Sequence, residues 1–187
     1  KEEGYMTDII TDRAVEWLKD ERNKNKPFSL NVWHKGVHED HSPAPRHRTL
    51  YENDPLPEPP HNMLQETFAG TPEWQRIKAF DSKWKEYVPV DSLPIKDWPV
   101  KGDKFKDLLR CLKAVDESLG RILATLEEIG ELDNTVIIFS SDNGYFMGEH
   151  GYWDKRIAYE ASMRIPLLIR YPKMIKEGTT IEELCLN

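Results

Sequence analysis

The feature that most constrains the fold is a continuous stripe of apolar side chains over residues 103–129. Its members recur at the three- and four-residue spacing that places side chains on one face of an α-helix. Gly130 follows the stripe directly and is a favoured residue just beyond a helix C-terminus. The sequence therefore predicts one long amphipathic helix that ends at Gly130. The stripe comprises Phe105, Leu108, Leu109, Leu112, Val115, Leu119, Ile122, Leu123, Leu126 and Ile129.

Helical and strand patterns alternate along most of the remaining chain. A helix is predicted over residues 7–22, where apolar side chains again share one helical face. The alternating segment 27–33 (PFSLNVW) and the β-branched run 135–141 (TVIIFSS) are predicted as strands, the second of them buried. A short helix around 156–162 and a strand at 167–171 follow. This order favours an α/β domain with a mostly parallel sheet flanked by helices.

Residues 41–100 break this alternation. Ten of the 13 prolines lie there, and proline is excluded from helix interiors and central strands. We therefore predict a long insertion or substrate loop over 41–100, with one short helix near 72–86. Its tryptophans, Trp74, Trp84 and Trp98, either stack on a sugar ring or pin the loop to the body of the protein.

Composition narrows the classes of function. The net charge of −7 argues against a nucleic-acid partner, because binding to a phosphate backbone normally leaves a basic footprint. No apolar run approaches the roughly 20 residues that a membrane helix needs, so no membrane partner is expected. The two cysteines, Cys111 and Cys185, form no C-x-x-C pair and are interpreted as unpaired thiols.

Polar residues crowd into the loop that follows the second predicted strand, which reads SSDNGYFMGEHGYWDKR over 140–156. Strand ends are where α/β proteins place their sites. Asp142 and Asn143 bring two oxygen-bearing side chains that suit Ca²⁺ or Mg²⁺, although D-N-G is also a common turn. Lys155 either meets an anion beside such a cation or is a solvated charge at a helix start.

A second polar cluster follows the first predicted strand. It contains His34, Lys35, His38 and His41. A histidine and a lysine here either hold an anionic oxygen and donate a proton to a leaving group, or belong to an ordinary surface loop.

Taken together, these blocks resemble the sulfatase family of the alkaline-phosphatase-like superfamily. The resemblance runs from YMTDIITDRAVEWL through KPFSLNVWHKGVH and CLKAVDESLGRIL to SSDNGYFMGEHGYWDKR and MRIPLLIRYP. It spans nearly the whole chain and is nearest to bacterial sulfatases that act on sulfated sugars. It implies that residues 1–187 form part of a sulfatase catalytic domain with the α/β alkaline-phosphatase-like fold.

The resemblance also implies roles for individual residues. Asp142 and Asn143 would ligate a divalent cation, usually Ca²⁺ rather than Mg²⁺, and Lys155 would contact the sulfate. His38 would contact the sulfate and protonate the departing alcohol. Many family members read H-K-A-P-H where this chain reads HKGVH, so that Val37 replaces a proline but His38 is retained.

The nucleophile is expected outside this chain. The family makes a formylglycine from the Cys or Ser of a C/S-x-P/A-x-R motif in its N-terminal half, and uses two early aspartates for the metal. Neither Cys111 (RCLKAV) nor Cys185 (LCLN) fits that motif. We therefore expect a middle-to-C-terminal portion of a longer enzyme, lacking the nucleophile-bearing half and inactive by itself.

The predicted function is a sulfuric ester hydrolase acting on a small anionic substrate or a sulfated saccharide, in a periplasmic or secreted location. Two alternatives remain open from the sequence. One is a phosphodiesterase or phosphonate monoester hydrolase of the same superfamily, against which the W-x-K-R block argues. The other is a non-catalytic sulfatase-like binding protein that has lost its nucleophile.

Overall fold

The structure, a computed structural model, describes residues 3–22, 24–55, 102–147, 149, 153–155, 157–183 and 185. The chain divides into two compact units. The first unit comprises Lys1–Asp54, Lys106–Ile138 and Ile169–Cys185, and the second comprises Pro55–Phe105, Phe139–Leu168 and Leu186–Asn187.

The helices and strands follow the predicted order, except that residues 27–33 form no strand and that β2 and β3 were not predicted. In sequence they are α1 (Met6–Glu16) with a π-helical turn (Trp17–Glu21), a 3₁₀ turn (Pro45–His47), α2 (Gly102–Glu128), a 3₁₀ turn (Leu132–Asn134), β1 (Ile137–Ser140), β2 (Phe146–Met147), β3 (Trp153–Asp154), α3 (Glu160–Met163) and β4 (Leu167–Arg170).

α1 and α2 contact each other through small side chains rather than through the leucines of the predicted stripe. The buried positions of α1 are Thr7, Thr11 and Ala14, which share one helical face. The facing positions of α2 include Ala114 and Ser118, and the hydroxyls of Thr11 and Ser118 lie 2.6 Å apart. The helix was therefore predicted correctly, and the stripe member Leu126 is buried, but the buried positions Ala114 and Ser118 lie outside the predicted stripe.

Gly130 ends α2 as the sequence predicts. Its φ of +74° is left-handed, a conformation that glycine adopts without the steric cost of a side chain. The Gly130 N–H donates to the Glu127 carbonyl at 3.0 Å, and the Glu131 N–H donates to the Leu126 carbonyl at 2.8 Å. These two bonds form a Schellman motif, which satisfies carbonyls that the helix end would otherwise leave unpaired.

The predicted strand at 27–33 is not a strand in the described part of the chain. Residues 28–34 keep the expected alternation of half-buried and exposed side chains, but none is assigned to a ladder. Alternation reports which side of an extended segment faces the protein, whereas a ladder needs a partner strand. The prediction was right about the extended pattern and wrong about the pairing.

The run at 135–141 does form a strand, but that strand is not buried. β1 pairs with β4 in one two-stranded sheet, and β2 pairs antiparallel with β3 in another. Ile138 in β1 is 62% exposed and Leu168 in β4 is 63% exposed. The described residues thus form two small sheets. The apolar side chains of β1 and β4, a composition typical of strands buried on both faces, are only partly buried.

No described helix is long and apolar enough to cross a bilayer.

The described start of the predicted insertion, residues 41–55, is attached to α1 and α2. Arg46 donates to both carboxylate oxygens of Asp8, at 2.7 and 2.8 Å, and also to Glu117 at 3.0 Å. Nε2 of His47 lies 2.9 Å from the same Glu117 carboxylate, and Arg110 donates to the Leu50 carbonyl at 2.8 Å. The predicted helix near 72–86 and the three tryptophans lie outside the described residues.

Candidate functional site

The loop after β1 presents the two predicted metal ligands. Asp142 is exposed, and its Oδ1 accepts hydrogen bonds from the Asn143 N–H at 2.9 Å and the Ser141 hydroxyl at 3.5 Å. Nδ2 of Asn143 donates to the Gly144 carbonyl at 2.6 Å. Because the amide nitrogen is engaged by the backbone, the amide oxygen is the atom that Asn143 offers to a cation.

These side chains suit a hard cation but supply only part of a coordination shell. Carboxylate and amide oxygens are the preferred ligands of Ca²⁺, which takes about six to eight oxygens. Among the described residues, no group of three or more histidine, cysteine or acidic side chains is placed to hold a metal. Asp142 and Asn143 therefore fit a Ca²⁺ ion as two ligands of a shell whose other members lie elsewhere.

Gly144 allows this loop to lie directly against α3. Its N–H donates to the Ser162 carbonyl at 2.8 Å. A Cβ at this position would overlap the Ala161 carbonyl oxygen and lie 2.9 Å from the Arg164 carbonyl oxygen. The D-N-G sequence thus makes a turn, as one interpretation predicted, and that turn fixes Asp142 and Asn143 at the end of β1.

Lys155 follows the β2–β3 hairpin and is half-buried. The hairpin pairs Phe146 with Asp154, and Phe146 is fully buried with its ring edge-on to Tyr159 at 6.1 Å. The Ser162 hydroxyl donates to the Lys155 carbonyl at 2.7 Å. The backbone of Lys155 is therefore held by a buried core on one side and by α3 on the other.

The H-K-x-x-H loop belongs to the first compact unit. The His38 side chain is exposed, and its Nδ1 lies 2.8 Å from the Glu39 carbonyl. A carbonyl only accepts, so Nδ1 carries the proton and Nε2 is the ring nitrogen that can exchange a proton with a substrate. The His38 N–H donates to the Lys35 carbonyl at 2.9 Å, which closes a turn between them.

His34 has a different environment from His38. Its Nε2 lies 3.0 Å from the hydroxyl of Ser118, which in turn contacts Thr11 of α1. Burial lowers the pKa of His34 below its ordinary value, so the ring is favoured in its neutral form. The first histidine of the block therefore attaches the loop to α1 and α2, whereas the side chain of the last one is exposed.

The formylglycine motif was expected to be absent from this sequence, but segment 42–46 reads SPAPR and matches its S-x-A-x-R form by letters. Ala44 is fully buried, and Pro45 begins the 3₁₀ turn. Arg46 is bound by the carboxylates of Asp8 and Glu117. These contacts show that residues 42–46 attach this part of the chain to α1 and α2.

The four predicted site residues fall into the two compact units as follows. Asp142, Asn143 and Lys155 belong to the second unit, where α3 contacts the backbone of both segments, and His38 belongs to the first. Sequence reasoning missed Ser162. A single serine in the run EASMRIP carries no signal, because no local pattern encodes its contacts with Lys155 and Gly144.

Comparison with known proteins identifies the family. A family model described as Sulfatase matches residues 1–185. The chain belongs to the sulfatase family. An N-acetylglucosamine-6-O-sulfatase of Bacteroides thetaiotaomicron is 35% identical over 233 aligned residues, covering 100% of this chain and 41% of that protein. An extracellular sulfatase SULF-1 homolog of Drosophila melanogaster is 28% identical, covering 98% of this chain and 15% of that protein.

Solved sulfatase structures show the same fold. A protein in complex with its substrate D-glucosamine-2-N,6-O-disulfate superposes with a TM-score of 0.75 at 34% identity, covering 95% of this chain and 45% of that one. A phosphonate monoester hydrolase from Silicibacter pomeroyi superposes with a TM-score of 0.64 at 22% identity, covering 90% of this chain and 33% of that one, which shows a shared fold alone. The predicted alkaline-phosphatase-like α/β fold is confirmed, and the chain spans less than half the length of these relatives.

Proposed function

We propose that the complete protein of which this sequence forms a sulfatase-family part is a sulfuric ester hydrolase acting on a sulfated sugar. Two similar proteins support the choice of substrate class. One is named an N-acetylglucosamine-6-O-sulfatase, and the other was solved with a disulfated glucosamine as its substrate. A sulfated saccharide is therefore the partner that we propose for this site.

The observation that carries this proposal is the attachment of the Asp142–Asn143 loop and of Lys155 to the same short helix, α3. A sulfate ester carries negative charge on its non-bridging oxygens, and further negative charge builds on its bridging oxygen as the bond to the alcohol breaks. Positive groups fixed in advance around those oxygens lower the barrier, because they need no rearrangement during the reaction. In this proposal, those positive groups are a cation held by the Asp142–Asn143 loop and the ammonium group of Lys155.

Each residue has a distinct role in this proposal. Asp142 and Asn143 hold Ca²⁺, with Mg²⁺ as a less suitable ion, and the bound cation supplies charge neutralisation to the sulfate. Lys155 contacts a sulfate oxygen through its ammonium group. His38 uses Nε2 to protonate the departing alcohol. The nucleophile is proposed to be a formylglycine outside these 187 residues.

We also propose that the protein acts outside the cytoplasm, either secreted or in a periplasm. The similar Drosophila protein is named an extracellular sulfatase. Sulfated saccharides are extracellular polymers or their fragments, so an enzyme that meets them outside the cell fits the proposed substrate.

Two substitutions in the complete protein separate the proposed roles. Asp142→Ala removes a carboxylate ligand, so the Ca²⁺ concentration for half-maximal activity should rise by about tenfold or more and turnover should fall with it. Lys155→Ala removes only a positive charge near the substrate. It should lower turnover on a sulfate ester by about 10²-fold, without changing the Ca²⁺ requirement or the melting temperature.

The measurements are initial rates across a Ca²⁺ titration, with thermal melting of each variant as the control for folding. Near wild-type turnover by Lys155→Ala would show that the lysine has been assigned wrongly. An unchanged Ca²⁺ requirement in Asp142→Ala would show the same for the metal ligand.

A further inference from the structure

Ser162 lies between the two segments that carry the proposed site. Its side chain is buried, with only 5% of the residue exposed. Its carbonyl oxygen accepts the Gly144 N–H at 2.8 Å, and its hydroxyl donates to the Lys155 carbonyl at 2.7 Å. A single residue thus joins the backbone of the Asp142–Asn143 loop to the backbone of Lys155.

Ser162 is itself held in place by neighbouring backbone bonds. Its N–H donates to the Tyr159 carbonyl at 2.9 Å, and the Arg164 N–H donates to the Glu160 carbonyl at 2.8 Å. The contact between Gly144 and the Ala161 carbonyl leaves no space for the loop to move closer to α3. The loop, the helix and Ser162 therefore form a packed support to which the Lys155 backbone is bonded through the Ser162 hydroxyl.

We propose that Ser162 is a positioning residue for the sulfatase reaction: its buried hydroxyl fixes the backbone of Lys155 relative to the Asp142–Asn143 loop. Lys155 would then contact the same sulfate group that a cation held by Asp142 and Asn143 would neutralise. This inference rests on the roles assigned to Lys155 and Asp142 in the proposed function. Ser162 does not touch the substrate, and it acts through Lys155.

The physical reason lies in the length of the lysine side chain. Its flexible stem lets the ammonium group reach many positions, and fixing the backbone removes part of that freedom before the substrate binds. Loss of the hydroxyl should weaken the interaction with sulfate by about three- to tenfold. At 1.4 kcal/mol per tenfold this corresponds to about 0.7–1.4 kcal/mol, which is typical of one hydrogen bond.

The substitution Ser162→Ala tests this role selectively, because it removes the hydroxyl and keeps the carbonyl that accepts the Gly144 N–H. In the complete Ca²⁺-loaded protein, the Kd for inorganic sulfate, measured by calorimetry, should rise by about three- to tenfold. The Kd for Ca²⁺ should stay unchanged. Kinetically, kcat/KM on a sulfate ester should fall by a similar factor.

Thr125→Val is the matched control. Thr125 is also buried, and its hydroxyl donates to a backbone carbonyl, that of Arg121, at 2.9 Å within α2. Its removal should cost stability comparable to that lost in Ser162→Ala and should leave the Kd for sulfate unchanged. If Thr125→Val binds sulfate as weakly as Ser162→Ala does, general destabilisation would explain the effect of Ser162→Ala, and the proposal would be overturned.

A double-mutant cycle with Lys155→Ala decides whether Ser162 acts through the lysine. Ser162→Ala should have no further effect on the Kd for sulfate when Lys155 is already alanine. An equal loss in both backgrounds would overturn the proposal, as would an unchanged Kd in Ser162→Ala alone. A normal Kd and normal turnover in Lys155→Ala would instead reject the proposed role of the lysine and, with it, this inference.

If Ser162→Ala melts below the assay temperature, Ser162→Cys replaces it in the same cycle. A thiol has a similar size and is a weaker donor, so the expected change in the Kd for sulfate has the same sign and is smaller.

Discussion

Gly144 is the residue at which the loop after β1 comes closest to α3. Its backbone N–H is bonded to Ser162, and a side chain would collide with the Ala161 carbonyl. A glycine is needed here because of a neighbouring backbone, whereas at Gly130 it is needed because φ is +74°. The two glycines thus meet different physical requirements, and only Gly144 lies beside the proposed site.

Gly144→Ala should destabilise the protein by about 1–3 kcal/mol, because the loop must move away from α3 to make room for the new methyl group. Since Asp142 and Asn143 belong to that loop, the Kd for Ca²⁺ should rise as well. Urea unfolding and a calorimetric Ca²⁺ titration measure the two effects.

Gly120→Ala provides the matched control for this change. Gly120 lies within α2, and a Cβ there would meet no atom within 4 Å. The same substitution should therefore stabilise the protein by about 0.5–1 kcal/mol and leave the Ca²⁺ affinity unchanged. Equal stability changes at the two glycines would contradict the close approach at Gly144.

At the residue scale, sequence patterns predicted candidate site residues but not the contacts that support them. Asp142 and Asn143 were predicted as metal ligands because oxygen-bearing side chains after a strand are typical of a hard-cation site. Ser162 was not predicted, since no local pattern encodes its contacts with Gly144 and Lys155. Local sequence patterns indicate which functional side chains are present, whereas tertiary contacts determine which residues hold those side chains in position.

Strands and helices differ in how far their local patterns predicted them. α2 ends at Glu128 with Gly130 just beyond, as the apolar stripe indicated, because helix hydrogen bonds are local. The segments 135–141 and 167–171 do contain β1 and β4, but their burial depends on elements that their own sequence does not specify. Extended segment 27–33 shows the same limitation, since its pattern gave no information about pairing.

The attachment of residues 41–55 to the helices is an electrostatic element that composition did not reveal. Arg46 makes a bidentate contact with Asp8 and a further contact with Glu117. The hydrogen bond from Arg46 lowers the pKa of Asp8 below its ordinary value of 3.8. For Glu117, burial acts to raise the pKa, but hydrogen bonds from His47 and Arg46 outweigh it and lower the pKa from 4.5.

These shifts give the attachment a defined pH dependence. A carboxyl group whose folded pKa lies below its unfolded pKa contributes stability above the unfolded value and loses it as the pH falls through the folded value. Asp8→Asn should therefore lower the free energy of unfolding by about 0.5–1 kcal/mol near neutral pH, a range set by the partial solvent exposure of the pair. The difference from wild type should shrink as the pH falls below 3.8.

Urea unfolding over a pH series measures this effect, with Asp12→Asn as the control on the same helix. Asp12 forms an ion pair with Arg121 whose side chains are 63% and 47% exposed, so a smaller change is expected there. A difference between Asp8→Asn and wild type that stays constant from neutral to acid pH would contradict the assigned contact.

At the scale of the whole molecule, the family was recognised from a combination of sequence blocks rather than from any single motif. Asp142, Lys155 and His38 each have an ordinary structural interpretation when considered alone. Their order along the chain resembles the sulfatase family, and the family model confirms that membership over residues 1–185. The structure adds a contact between His34 and Ser118, and it leaves Nε2 of His38 as the ring nitrogen for the proposed proton exchange.

The proposed roles of the site residues require that the reaction is the hydrolysis of a sulfate ester. The phosphonate monoester hydrolase that shares the fold shows that this architecture accommodates a different ester chemistry. The most direct measurement is kcat/KM of the complete Ca²⁺-loaded protein on an aryl sulfate and on the matching aryl phosphate, each with wild type and with Lys155→Ala. We expect a higher kcat/KM on the aryl sulfate, and a loss of about 10²-fold in that value in Lys155→Ala. Faster hydrolysis of the phosphate, or sulfate hydrolysis that does not depend on Lys155, would contradict it.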